Sequence, residues 1–250
     1  MSEERSLQAT DTPRTAIVTG AGSGMGLATS AQLIDEGWTV LGVDVDANSL
    51  ESAARALGPN LVTCTADLVD RGELEASLDS AMPADSMVTA VVNAAGIYPP
   101  STLEDFTEQS YRHIFEVNVL GTLNTTAVAL PHLRAHGRGG AVVNFASIDA
   151  LTVSSGQLLY SASKAAVVAI TRSLAIELAP DGITVNGVAP GWVDTPGNRA
   201  TGRMEAALPN VPLKRAATPD EVADWVCRLC KPGSYMTGET LVIAGGIFMR

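Results

Sequence analysis

The stretch Thr19-Gly20-Ala21-Gly22-Ser23-Gly24-Met25-Gly26 constrains this chain more than any other. An apolar run, residues 16–18, leads into it, and a helix-like pattern over residues 27–36 leads out. A strand that turns on glycines into a helix N-terminus is a phosphate cradle. The glycines let the backbone come close, while free N–H groups and the positive helix end attract an anion. The strict dinucleotide spacing G-x-G-x-x-G is met in no register, because Met25, Leu27 and Thr29 stand where its last glycine belongs. The spacing present is T-G-x-x-x-G-x-G, a different version of the same device.

The 250 residues suit one large α/β domain, and a hydrophobic content of 46% supports a sizeable core. No apolar run approaches the roughly 18 residues of a membrane span. Residues 1–13 are polar and acidic with no signal-like apolar region, so they read as a short mobile tail and a cytoplasmic location as the default. The net charge of −11 argues against nucleic acid and against anionic membrane surfaces as partners. Cys64, Cys227 and Cys230 fit reduced thiols. Cys227 and Cys230 lie in an apolar helical segment without a second ligand pair or a nearby histidine. They read as core thiols, and no metal site is expected.

Apolar runs at residues 39–43, 61–65, 88–92, 141–145, 183–188 and 240–244 read as buried strands beside the first. Helical patterns separate them at 45–57, 71–82, 103–134, 157–179 and 219–230, with Gly121 and Pro131 as interruptions of the longest. Strands alternating with helices imply βαβ units and a parallel sheet with right-handed crossovers. The expectation is a single α/β domain over residues 14–250, doubly wound on a seven-stranded parallel sheet flanked by helices. Residues 192–212 form a weakly patterned lid.

In such sheets ligands bind at the carboxyl ends of the strands. The glycine turn, Asp44, Asp67, Asn93, Ser147 and Pro190-Gly191 all fall there. Asp44 closes the second strand, where a carboxylate can accept hydrogen bonds from both ribose hydroxyls and repels a 2′-phosphate, favouring NAD over NADP. A helix-capping Asp is the plain alternative. Tyr160 and Lys164 share a helix face at i, i+4. A phenol ionises near pH 10; a neighbouring ammonium and a cationic nicotinamide would lower that value. Taken singly, Tyr160-x-x-x-Lys164 is an ordinary surface pair and Ser147 a loop serine.

Their order and spacing are what carry the reading. T-G-x-x-x-G-x-G, Asp44, Asp67, Asn93-Ala94-Ala95-Gly96, Asn118, Ser147, Tyr160-x-x-x-Lys164 and Pro190-Gly191 resemble the short-chain dehydrogenase/reductase family over nearly the whole chain. The resemblance implies a Rossmann domain and a catalytic tetrad of Asn118, Ser147, Tyr160 and Lys164. It implies that Asn93, Ala94, Ala95 and Gly96 pack beside the cofactor, that Asp67 contacts adenine and that Thr195 holds the nicotinamide carboxamide. Further cofactor contacts are implied at Gly20, Gly22, Ser23, Gly24, Met25, Gly26, Val45, Leu68, Pro190, Gly191 and Val193, with Tyr160 and Lys164 reaching the nicotinamide end. Ser147 would orient the substrate oxygen, Tyr160 would take the alcohol proton, and Lys164 would lower the tyrosine pKa. Asn118, at a helix irregularity, would hold a water linking Lys164 to solvent. Ala244 stands before Gly245-Gly246 where relatives often carry Asp.

For the substrate, the resemblance points to Tyr98, Ser147, Asp149, Gln157, Tyr160 and Trp192. Asp149 would disfavour anionic substrates by like-charge repulsion, leaving a neutral hydroxylated or ketonic small molecule; a solvent-facing or turn-capping Asp149 is the alternative. The expected activity is NAD-dependent interconversion of a secondary alcohol and its ketone. Reduction of 3-oxoacyl groups on a carrier protein stands second, and a non-catalytic NAD-binding sensor or scaffold third. His113, His132 and His136 share one region, which speaks against a metal-dependent alcohol dehydrogenase. The resemblance also implies a homotetramer.

Overall fold

A computed structural model describes residues 14–84, 86–152 and 154–249; the expected tail of residues 1–13 lies outside them. The central strand, β1 (Arg14–Thr19), is buried from Thr15 onward. It sends Ala16 and Val18 to one core and Ile17 to the other, the period-2 pattern of a strand covered on both faces.

The chain continues through α1 (Gly24–Asp35), β2 (Thr39–Asp44), α2 (Ala47–Leu57), β3 (Leu61–Thr65), α3 (Arg71–Ala81) and β4 (Met87–Asn93). Then come α4 (Glu108–Phe115), α5 (Gly121–Ala135), β5 (Gly140–Phe145), α6 (Leu158–Leu178) and β6 (Ile183–Pro190). After the lid helices α7 (Pro196–Ala200) and α8 (Met204–Ala207), α9 (Pro219–Leu229) and β7 (Thr240–Ile243) close the fold. All strand pairs are parallel, in the order β3-β2-β1-β4-β5-β6-β7. The seven-stranded doubly wound sheet is therefore as expected. Its order reverses between β1 and β4, the switch point where a crevice opens at the strand ends.

The expected helix over 103–134 is two helices. The first starts at Glu108, because Thr107 caps it in a reciprocal box with Ser110. Before that, the Asp105 carboxylate accepts the Thr102 N–H and holds a turn. A π turn, Glu116–Leu120, separates α4 from α5 immediately before Gly121, and Pro131 is tolerated inside α5. At Gly121 a Cβ would come within 3.0 Å of Leu68 Cβ, so a bare backbone is what lets α5 approach the end of β3.

A buried polar ladder ties the sheet to two of these helices. Asn93 Nδ2 donates to Asn144 Oδ1 (2.8 Å) and to Thr126 Oγ1 (3.1 Å). Asn144 Nδ2 donates in turn to Thr171 Oγ1 (3.0 Å). Strands β4 and β5 and helices α5 and α6 are thereby fixed in relative register, since a buried amide pair tolerates little sliding. The lid leaves and re-enters the body at one place. Asp194 N–H donates to Ala217 O (2.8 Å), and Ala217 N–H donates to Trp192 O (2.9 Å).

Candidate active site

Two cavities meet at the carboxyl ends of the strands. The first, about 520 Å³, follows the glycine turn, the ends of β2 and β3, and Ala94 to Tyr98. The second, about 420 Å³, lies under the lid around Ser147, Asp149, Tyr160 and Trp192. Met25, Tyr98 and Thr195 line both.

The first cavity fits a dinucleotide. Gly20 has φ +67°, and a Cβ there would press on the Ala95 backbone at 3.1 Å; at Gly26 a Cβ would collide with Gly20 O. The turn therefore closes only with glycines, bringing bare backbone to the cavity. Ser23, at the N-cap of α1, makes no side-chain cap bond, so the helix N-terminus faces the cleft uncapped. Asp44 is locked: Oδ2 accepts Gly22 N–H (3.0 Å) and Oδ1 accepts Asp46 N–H (3.0 Å). Its carboxylate lines the cleft beside Val45, Asp67 and Leu68.

The expected catalytic residues sit near the junction. Ser147 is buried, its Oγ accepts Asp149 N–H (3.1 Å), and it lines the second cavity with Tyr160. Lys164 is buried one helical turn away and donates to Phe145 O (2.7 Å), with Nζ 5.9 Å from the Tyr160 ring centre. Asn118 lies within the π turn; its Oδ1 accepts Ile97 N–H (2.8 Å), and its Nδ2 donates to Ile97 O (2.9 Å) and Ser163 Oγ (3.0 Å). A Cβ on Gly96 would stand 3.2 Å from both Asn118 Oδ1 and Lys164 Nζ. Glycine there lets the cofactor-side turn rest directly on the pair.

Burial pushes the Tyr160 phenol up to about 12, against the Ser147 hydrogen bond; the Asp149 and Tyr98 charges also raise it, and Arg203 lowers it. Burial alone pushes the Lys164 ammonium down to about 8. The expected lowering of Tyr160 by Lys164 is thus not what dominates here: desolvation acts on both groups and favours their neutral forms. Burial likewise raises Tyr98, opposed by its hydrogen bond to Thr195 and by the charge of Arg203.

The other expected residues take the following positions. Val193 is fully buried in the core and lines neither cavity. The Asn93 amide is spent on Asn144 and Thr126, and Gly22 acts through its N–H on Asp44. Pro190 and Gly191 line the second cavity rather than the dinucleotide cleft. Asn118 and Lys164 lie behind Gly96. Asp149, Gln157, Tyr98 and Trp192 do line the second cavity.

Sequence reasoning missed Ile97, His113 and Val117 in the dinucleotide cleft, and Arg203 in the lid cavity. Ile97 directly follows the Asn-Ala-Ala-Gly turn, which was a usable signal. Arg203 had none, because only the path of the lid turns it inward. Burial pushes the Cys64 thiol up to about 11 and that of Cys227 to about 12. Among the described residues no group of three or more His, Cys, Asp or Glu is placed to hold a metal ion, and no helix is long and apolar enough to cross a membrane.

The architecture and site have close counterparts. A family model described as enoyl-(acyl carrier protein) reductase matches residues 20–247. A 3-oxoacyl-[acyl-carrier-protein] reductase of Thermotoga maritima is 32% identical, over 92% of this chain and 96% of its own. A 2-(R)-hydroxypropyl-CoM dehydrogenase of Xanthobacter autotrophicus is 33% identical, over 93% of this chain and 97% of its own. The crystal structure of a 3-ketoacyl-(acyl-carrier-protein) reductase from Brucella melitensis complexed with NADH superposes with a TM-score of 0.88 at 30% identity, covering 94% of this chain and 98% of that one. With the glycine turn, the Ser147–Tyr160 pair and the switch-point cleft in their places, the chain belongs to the short-chain dehydrogenase/reductase family of oxidoreductases.

Proposed function

We propose that the protein interconverts a secondary alcohol and its ketone, with NAD as the preferred cofactor and Tyr160 as the acid–base group. The observation that carries this reading is that Ser147 and Tyr160 line one cavity together, set where the dinucleotide cleft opens into the space under the lid. The dinucleotide would be held by Gly20 to Gly26, Asp44 and the Ala94 to Gly96 turn, and when bound it supplies the two-electron exchange. Ser147 orients the reacting oxygen by hydrogen bonding. Tyr160 passes the proton at its hydroxyl oxygen. Lys164 keeps further N–H donors beyond its bond to Phe145 O, available to a ribose hydroxyl at the same end. Asn118 clamps the peptide of Ile97 and so holds the cofactor-side turn against the catalytic helix; the water relay expected through it belongs to this proposal.

NAD preference is supported by Asp44, whose carboxylate two backbone N–H groups hold at the cleft. A 2′-phosphate placed there would meet a fixed like charge. Relatives of nearly equal similarity carry different substrate names, so identity of this order leaves the substrate open. Those named for 3-oxoacyl-carrier-protein reduction support a second reading, a thioester substrate on a carrier protein. The net charge of −11 does nothing to attract an acidic carrier.

Tyr160→Phe is expected to lower kcat by roughly 10²- to 10⁴-fold while NADH binding, followed by fluorescence, stays within about twofold. Retention of most turnover would remove Tyr160 from the mechanism. A matrix of NAD and NADP against alcohols, polyols and hydroxy acids tests cofactor choice. A higher kcat/KM with NADP on every substrate would refute the role given to Asp44.

A further inference from the structure

Arg203 precedes α8 in the lid and lines the second cavity with Ser147, Asp149 and Tyr160. Its Nε is buried and has no hydrogen-bond partner, and among the described residues its guanidinium makes no ion pair. Other arginines nearby are spent. Arg199 forks onto Asp194 through Nε and Nη2 (2.7 Å for the latter), and Arg215 forks onto Glu221 (2.7 and 2.6 Å). A buried donor left unsatisfied in a native fold calls for an occupant. A guanidinium presents a planar fork that matches a carboxylate or another oxyanion two bonds at a time.

Position decides which anion. Arg203 does not line the dinucleotide cleft, and Asp44 stands at the other end of that cleft. Arg203 shares a cavity lining with Tyr98, Ser147 and Tyr160, which places it on the side of the proposed reacting oxygen. Asp149 lines the same cavity but makes no ion pair with it; its carboxylate accepts the Ser154 hydroxyl instead. The cavity thus has an acidic and a basic group held apart. Asp149 taken alone favours a neutral substrate. With Arg203 counted, an anion docked on the guanidinium meets an opposite charge before it meets a like one.

We propose that Arg203 receives a carboxylate of the substrate, so that the molecule processed is a hydroxy acid or its oxo acid rather than a neutral alcohol. This rests on the reading of Tyr160 as the acid–base group at the reacting carbon. The lid then contributes the selectivity and Ser147 with Tyr160 the chemistry.

The test uses acetoacetate and levulinate, each against its methyl ester, a neutral analogue of similar shape. Equilibrium binding to the NADH complex of Tyr160→Phe isolates recognition from turnover. The acid is expected to bind at least about tenfold tighter than its ester for one or both chain lengths. Arg203→Gln in the same background should weaken acid binding by roughly 30-fold or more, the scale of truncating one partner of a buried hydrogen-bonded charge pair. NADH affinity should move by less than about threefold. Arg203→Lys, which keeps the charge but not the fork, should fall between. Equal binding of acid and ester, retention of acid binding in Arg203→Gln, or a loss confined to NADH would each overturn the assignment. Turnover by the unaltered enzyme reads separately. Acids that bind through Arg203 but are not reduced would sink the reading of Tyr160 as the acid–base group for such acids and leave the anion site standing.

Discussion

Tyr160 is subject to opposing influences whose balance sets the direction of easy proton transfer. Burial raises its phenol to about 12, so at neutral pH the hydroxyl carries its proton and is ready to donate it. On the proposed role of Tyr160, the reductive reaction has its acid in place at neutral pH, while the oxidative one needs the phenolate and speeds up as pH rises towards that value. Oxidative kcat/KM is expected to climb with pH up to about 10 and beyond, with reduction flat or falling over the same range. Asp149 is one of the groups holding the phenol up. Asp149→Asn removes that charge, favours the phenolate, and should shift the oxidative rise to lower pH. A shift in the other direction, read from full pH profiles of both enzymes, would refute the electrostatic role of Asp149.

At the scale of elements, the lid's return is fastened by α9. Thr218 caps that helix: Glu221 N–H donates to Thr218 Oγ1 (3.2 Å) while Thr218 N–H donates to Glu221 Oε2 (2.8 Å). The Arg215 fork and the Thr218 N–H lower the Glu221 carboxyl from 4.5 to about 2. A depressed carboxyl stabilises the fold above its unfolded value, and the contribution disappears as pH falls from about 4.5 through about 2. Thr218→Ala should cost about 1 kcal/mol by chemical denaturation at neutral pH. Glu221→Gln should show a shallower loss of stability across that acid window than the unaltered protein. A parallel acid curve would show that this cap carries no pH dependence. The Thr107 box, by contrast, was invisible in sequence: Ser110 stands where a Glu or Gln would have marked the helix start, so the helix was expected five residues early.

Across the whole molecule, what could be read from sequence divides along the nature of the contacts. The seven strands and their parallel arrangement were legible because they are apolar runs alternating with helical patterns, several closed by a polar residue at the carboxyl end, as at Asp44, Asn93 and Ser147. Gly20 and Gly26 were legible because only glycine fits that turn. The π turn that seats Asn118 was expected only as an irregularity, since it depends on Ile97 and Ser163 arriving from elsewhere. Arg203 was not legible at all, because its orientation depends on the course of the lid. Leu120, Leu123, Leu158 and Ile176 are exposed apolar side chains, and a homotetramer, if it forms, would cover them. Light scattering should give four chain masses, and Ile176→Glu should reduce that number; a monomer from the unaltered chain would refute it.

The adjacent ends of the lid have a structural consequence. Its residues leave at Trp192–Asp194 and return at Ala217 on neighbouring backbone hydrogen bonds. A loop whose ends meet in this way can be altered without re-threading the sheet. Ser147, Tyr160 and Lys164 lie outside that loop, beside the interior ladder of Asn93, Asn144 and Thr171. Changes within that loop would reshape the lid cavity at Trp192, Thr195, Asn198 and Arg203 while leaving Ser147, Tyr160 and Lys164 in place.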